Sequence, residues 1–152
     1  MIPTEGLLPK SEWKAIVRSM PIPCVDVIVE KDGKVLLGLR TIRPYKNVWA
    51  LPGGRIHKHE YPQDTAERNL REIGISAEPK RFVGVFPVRF PRDPDKRYDI
   101  TLCYGYRWMR GEPTSTPELA RLEWFPPTRL PERTGTNYRR MIHAAFSRGS
   151  SG

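Results

Sequence analysis

Within Pro52–Ile75, which reads PGGRIHKHEYPQDTAERNLREIGI, two adjacent glycines precede a short basic loop, an isolated carboxylate at Glu60 and a charged segment that closes at Gly74. This pattern suits diphosphate chemistry. A Gly-Gly corner lets backbone approach a ligand closely, and helix carboxylates can hold a divalent cation against phosphate oxygens. At about 100° per residue, Asp64, Glu67, Arg68, Arg71 and Glu72 gather within an arc of about 140°, opposite Ala66, Leu70 and Ile73. The segment therefore reads as a helix that buries one face and presents ions on the other, either to water or to a ligand.

The elements around this segment must hold it in place. Ser11 is the expected cap of a first helix in which Trp13, Ile16, Val17 and Met20 recur at helical spacing, ended by Pro21 and Pro23. Cys24–Val29 reads as a nearly continuous apolar strand, interrupted by Asp26, whose carboxylate needs partners there. Lys31-Asp32-Gly33-Lys34 supplies a hairpin turn into a strand at Val35–Leu39. Asn47–Leu51 reads as a short strand delivering the chain to the glycines, Pro62 opens the charged helix and Gly74 closes it. Strands are then expected at Arg81–Phe90, Tyr98–Trp108 and Leu122–Phe125, and a last helix at Tyr138–Phe146. The fold class is α/β with a mixed or antiparallel sheet.

Composition narrows the function classes. A chain of 152 residues reads as one domain over 1–147, followed by a flexible tail at 148–152. The net charge of +9 implies a field that gathers anions such as nucleotides, nucleic acid or acidic surfaces, or else a solvated basic surface. Nucleic acid is disfavoured, because the basic residues are dispersed and no aromatic stacking motif of an RNA-binding module is evident. Cys24 and Cys103 lie in apolar runs and read as reduced core thiols. No apolar run approaches the roughly 20 residues a membrane span needs, so a cytoplasmic protein is expected. His57 and His59 lack a thiol or third histidine nearby, so they read as solvated loop residues, and His143 as a packing or surface residue.

The Gly54, Glu60, Arg68, Leu70, Glu72, Gly74 and Ile75 series resembles the Nudix hydrolase box, which runs Gly, five residues, Glu, seven residues, Arg-Glu-aliphatic-x-Glu-Glu-x-Gly-aliphatic. Asn69 stands where a glutamate is usual, and the stretch from Arg68 to Gly74 is one residue short. Glu72 is the single helix carboxylate left for metal. In this respect the chain is similar to the GDP-mannose mannosyl hydrolases, together with Val17-Arg18-Ser19-Met20-Pro21, Val25–Glu30, Leu36–Thr41, Arg43-Pro44, Trp49, Pro52–Arg55 and Lys58.

The resemblance implies a Nudix fold, a mixed β-sheet sandwiched between α-helices. It implies Mg²⁺, with Mn²⁺ a second candidate, held by the Gly53 carbonyl, Glu72 and Glu118. Arg40 and Arg55 would counter charge on a departing nucleoside diphosphate, Arg68 would position the ligands, Asp26 would contact substrate, and Glu60 would tie its loop to Arg68. Arginine forks match phosphate oxygens and stay charged at any ordinary pH. The branch carries a Gln-His pair before its last tryptophan-bearing strand; aligned from Trp124, Glu118 falls on the glutamine and Leu119 on the histidine. Leu119 cannot take a proton, which leaves Glu118 first, then His57, His59 or Asp99, as the group that activates water. The implied substrate is a nucleotide sugar of the GDP-mannose or GDP-glucose type, cleaved to nucleoside diphosphate and sugar. The alternatives are attack at phosphorus in another nucleoside diphosphate derivative, or nucleotide binding with little turnover. A homodimer is also implied, with an exposed Trp13 contributing to its interface.

Overall fold

Trp13, Ile16 and Val17 recur on one side of the first helix, α1 (Lys10–Ser19), and pack against Ile22 and Cys24. Ser11 lies inside this helix, not at its cap. The N-cap is Pro9, which has no side-chain cap bond and whose carbonyl accepts from Glu12 N and Trp13 N. Met20, expected in the apolar stripe, has already turned to extended backbone and is 56% exposed. The proline that follows it cannot continue a helix. The computed structural model describes residues 8–43 and 45–149.

The first strand, β1 (Ile22–Lys31), turns into β2 (Lys34–Arg40) through Asp32 and Gly33, at φ 51° and 77°. Two positive φ values match the twist of the flanking strands, and Asp-Gly meets that demand cheaply. The expected strand at Asn47–Leu51 contracts to β3 (Trp49–Ala50). A strand absent from the sequence reading, β4 (Gly53–Arg55), follows the corner. The charged helix, α2, runs Pro62–Glu72 with proline in its first turn, and Gly74 leaves it at φ 78°. β5 (Ser76–Arg89) and β6 (Tyr98–Arg110) form a long antiparallel ladder. β7 (Leu119–Phe125) begins three residues earlier than expected, and α3 (Thr136–Gly149) covers the first two positions of the expected tail. Residues 150–152 lie outside the described residues.

The sheet is mixed. β1 runs parallel to β6 from Ile22 opposite Asp99 to Glu30 opposite Arg107, and every other pairing between these strands is antiparallel, in the order β3-β2-β1-β6-β5 with β4 on β1 and β7 on β2. Alternation along β1 supplies both faces. Val25, Val27 and Val29 meet Ala66 and Leu70 of α2 and its capping residue Ile73, while Ile28 meets Met141, Ile142 and Ala145 of α3. Each fully buried valine, leucine, isoleucine or methionine among these contributes about 1.5–3 kcal/mol. This is the expected α/β sandwich, with the two thiols Cys24 and Cys103 free and buried inside it.

Candidate active site

β1 and β2 leave their turn paired only at Glu30 with Val35 and Lys31 with Lys34, and then diverge. β1 takes β4 as its partner, placing Gly53 opposite Asp26, and β2 takes β7, placing Arg40 opposite Leu119. A wedge opens between the two pairs, and the end of α2 lies beside it. Arg40, Gly53, Glu72 and Glu118 consequently line one cleft. The loop carrying Glu118 is pinned to the end of β2: Thr41 N donates to the Glu118 carbonyl at 3.0 Å, and Thr41 Oγ1 donates to the Pro117 carbonyl at 2.5 Å. Glu118 is exposed at the mouth of the cleft.

Glu60 is committed elsewhere. Its Oε1 accepts from His57 N at 2.8 Å, Thr65 Oγ1 at 2.9 Å and Arg68 Nη2 at 3.1 Å, and its Oε2 accepts from Arg68 Nε at 2.7 Å. Burial pushes this carboxyl up, but the Arg68, His57 and Thr65 bonds outweigh it and hold the group down to about 2. Arg68 also donates to the Arg55 carbonyl at 3.0 Å and to Glu72 Oε1 at 3.3 Å, so the Glu60–Arg68 pair aims the Glu72 carboxylate. Asn69 is buried; its Nδ2 donates to the Thr65 carbonyl at 2.8 Å, and it packs against Gly54. His59 is exposed, but His57, expected to be solvated, is partly buried beside Glu60, and burial with the nearby Arg68 pushes its imidazole down.

Behind the cleft, and sharing Arg40, Leu51 and Gly53 with it, lies a polar chamber of about 60 Å³. Asp26 forms its floor, accepting from Thr101 Oγ1 at 2.7 Å. Desolvation, helped by the neighbouring Asp99, pushes the Asp26 carboxyl up to about 7, while the Thr101 bond and the Arg40 and Arg97 charges oppose the rise. Arg97 Nε donates to Asp99 Oδ1 at 2.7 Å, and Arg97 Nη2 reaches Cys24 Sγ at 3.8 Å. Burial also raises Asp99, against the pull of Arg97. Arg97 and Thr101 were not singled out in the sequence. Their signal is the alternation Arg97-x-Asp99-x-Thr101, which runs from the residue before β6 into that strand with one polar residue at every second position, alongside Cys24-x-Asp26 on β1.

The structure does not bring every expected residue into the cleft. The Arg55 guanidinium lies over the Trp13 ring at 4.8 Å, with Arg97 at 5.7 Å from the same ring. Trp13 is accordingly half-buried against the core, where an exposed ring had been expected. Leu119 is 9% exposed and packs with Val25, Leu36 and Tyr106 in the α2 layer, so the position aligned with a histidine belongs to the core. His143 is exposed on α3 beside Ser147.

Residues 20–145 match the NUDIX domain. The chain belongs to this family. It is 35% identical over 80 residues to the low-salt glycan biosynthesis protein Agl8 of Haloferax volcanii, a match covering 52% of this chain and 51% of that protein. It is 31% identical over 115 residues to the ADP-ribose pyrophosphatase of Methanocaldococcus jannaschii, covering 74% of this chain and 66% of that one. The chain thus spans about half to two thirds of the length of these two relatives. The fold is also that of a MutT NUDIX hydrolase from Burkholderia pseudomallei, with a TM-score of 0.75 at 19% identity, covering 83% of this chain and 98% of the other.

On the NUDIX scaffold a divalent cation has a consistent donor set. Glu72, Glu118 and the Gly53 backbone offer oxygen alone, as a hard cation prefers. Among the described residues no group of three or more His, Cys, Asp and Glu side chains is placed to hold a metal by itself. The set therefore fits an ion that keeps several waters and takes its other oxygens from a phosphate ligand, as Mg²⁺ does. No helix among the described residues is long and apolar enough to cross a membrane.

Proposed function

We propose that this NUDIX protein hydrolyses a nucleoside diphosphate derivative, with water attacking phosphorus and the bridging P–O bond breaking to give two monophosphates. The observation that carries this reading is the meeting of Arg40, Gly53, Glu72 and Glu118 in one cleft, with Glu60 and Arg68 holding Glu72 in place. Gly53, Glu72 and Glu118 would hold Mg²⁺, with Mn²⁺ the second candidate. When bound, the metal neutralises charge on the diphosphate. Arg40 stabilises the charge developing on the leaving oxygen, and Arg68 keeps Glu72 oriented. Glu118 is exposed at the cleft mouth and is the first candidate to take the proton of the attacking water. Asp26, at the chamber floor, would contact the group attached to the diphosphate. Arg55, held over Trp13, shapes the loop before α2, and its carbonyl accepts from Arg68 Nη2 in the Arg68 clamp.

Attack at phosphorus is favoured over attack at a sugar carbon because Leu119 is a core side chain and supplies no histidine base. The ADP-ribose pyrophosphatase named above, matched over 74% of this chain, supports the same direction. A second reading, hydrolysis of a GDP-mannose or GDP-glucose type sugar at C1, is favoured by the shortened box with its single helix glutamate. It also accords with the glycan-biosynthesis name of the Haloferax relative. In that reaction the C–O bond breaks and nucleoside diphosphate leaves.

Incubation of the Mg²⁺-loaded protein with a panel of nucleotide sugars and ADP-ribose in ¹⁸O water separates the two readings. Label in a phosphate product supports the proposal, and label confined to the free sugar overturns it in favour of C1 attack. Binding without product from any substrate overturns both in favour of a sensor domain. A homodimer remains part of the proposal, with Phe82 and Val85, 50% and 57% exposed on β5, as a surface suited to a second copy. Sedimentation equilibrium showing only monomer would remove it.

A further inference from the structure

The chamber behind the carboxylate cleft, at about 60 Å³, is too small for a nucleobase. Beyond Phe90, which both spaces share, lies an open cleft of about 720 Å³ whose walls include Arg43, Tyr45, Lys46, Arg92 and Asp93. That volume is ample for a nucleoside. Its aromatic wall is built and held in place: Tyr45 stands edge-on to Phe90 with centroids 4.9 Å apart and to Tyr138 at 6.3 Å. Its cations outnumber its acid, and the Asp93 carboxylate is already engaged, its Oδ2 accepting from Asp95 N and Arg97 N at 3.1 Å each.

The loop that walls this cleft is anchored on Arg40. Asn47 N donates to the Arg40 carbonyl and Arg40 N to the Val48 carbonyl, both at 2.9 Å, and Arg40 Nη2 reaches the Ile42 and Arg43 carbonyls at 3.4 Å. Between these ties Tyr45 and Asn47 hold φ values of 67° and 64°. For a tyrosine this conformation is rare and costs energy, so the surrounding contacts must impose it. The same Arg40 lines the carboxylate cleft and the chamber.

We propose that the outer cleft seats the nucleoside, with its base on Tyr45 and the edge of Phe90 and with Arg43, Lys46 and Arg92 facing its phosphates. A ligand then extends from this cleft past Arg40 to the carboxylates. The inference rests on the proposed nucleoside diphosphate substrate and assigns its base to a place. A flat ring against an aromatic face tolerates several bases, whereas the rim cations demand an anionic tail.

The test is calorimetric titration of ADP, GDP, UDP, CDP and pyrophosphate into EDTA-treated protein, comparing wild type with Tyr45→Leu, the surface double variant Arg43→Ser/Arg92→Ser and Glu72→Gln. The preferred nucleoside diphosphate should bind Tyr45→Leu and the double variant about tenfold more weakly. Pyrophosphate should lose affinity in the double variant alone, and Glu72→Gln, which removes a negative charge from the cleft, should bind the metal-free ligands no more weakly than wild type does. Because Tyr45 is partly packed, melting curves accompany each titration, and the double variant carries the test if Tyr45→Leu unfolds. Unchanged nucleotide affinity and KM in both cleft variants, with turnover intact, overturns the inference alone. Absence of both nucleotide binding and turnover in wild type overturns the substrate reading with it.

Discussion

Asp26 and Gly53 face one another across β1 and β4 so closely that a Cβ on Gly53 would lie 2.7 Å from Asp26 Oδ1 and nearer still to the Val25 carbonyl oxygen. Glycine is required here for space, because backbone and a carboxylate already occupy the position. Gly53→Ala should therefore push β4 off β1, costing about 1–3 kcal/mol and more than tenfold in kcat/KM. Gly54→Ala, whose Cβ would meet only the Asn69 side chain at 3.3 Å, should cost less on both counts. Urea melts and steady-state kinetics of the two variants check the order; equal losses would refute the crowding argument.

The raised Asp26 carboxyl gives a signed pH effect. Its folded value is about 7 against about 4 in an unfolded chain. Below pH 4 both states hold the proton and the group contributes nothing. Between about pH 4 and 7 the unfolded chain has released it while the folded chain keeps it, so stability falls, and above 7 the full penalty applies. Asp26→Asn lacks this term. Its stability minus that of wild type should rise from pH 4 to 7 and then level off. A flat difference across that range would mean that burial does not raise this carboxyl.

Glu60 has the opposite sign. Its folded value near 2 lies below the unfolded one, so its contribution is fully present above about pH 4 and is lost as pH falls towards 2. Glu60→Gln should cost about 1.5–3 kcal/mol at pH 7 by leaving Arg68 short of a charged partner. That cost should shrink steadily as denaturation is repeated from pH 4 down to pH 2.5.

Glu72 and Glu118 separate by role. Glu72→Gln should raise the Mg²⁺ concentration for half-maximal rate by about tenfold or more, since it removes a charged oxygen donor. Glu118→Gln should in addition lower kcat at saturating Mg²⁺ by about 10²-fold or more, as loss of a general base does. Chelation with EDTA should abolish turnover without unfolding the chain, read by activity and circular dichroism together. Unchanged metal dependence in both variants would remove these residues from the metal site.

Replacing Leu119 with the histidine found in the mannosyl hydrolase pattern should not create a base. The side chain is nearly buried, and its Cδ2 would lie 3.0 Å from a Cβ on Gly38. Leu119→His is expected to cost about 2–4 kcal/mol with no gain in rate. A faster enzyme of undiminished stability would overturn the core assignment.

The fold was legible where local chemistry and tertiary demand agree. Asp32-Gly33 announces its turn, Pro62 and Gly74 bracket α2, and the nearly continuous apolar run Cys24–Val29 lies inside β1. It was not legible where pairing alone decides. Gly53–Arg55 carries two residues of poor strand propensity and becomes β4 only because β1, parted from β2, offers a free edge. Leu119 likewise reads as loop from Pro117 onward but joins β7 through its partner Arg40. At the site, the box spacing located Glu60, Arg68 and Glu72, whose contacts lie within one helix and its preceding loop. The alternation puts Arg97, Asp99 and Thr101 on one face but does not say which strand they meet: Thr101 reaches the chamber through the parallel pairing that sets it opposite Cys24, and Arg97 stands two residues before that ladder begins.

The divergence of β1 from β2 has a mechanical consequence. From the last shared rung at Glu30 and Val35, Asp26 is four residues away along one arm and Arg40 five along the other. At about 3.3 Å per residue these arms are about 13 and 17 Å long. A pair of tongs with arms of that length moves its tips by about 1 Å for a change of about 4° at the hinge, and misplacement of that size in an active site can cost about 10²-fold in rate. The Asp32-Gly33 turn, far from Asp26 and Arg40 along both strands, therefore sets the width of the cleft that the proposed chemistry uses.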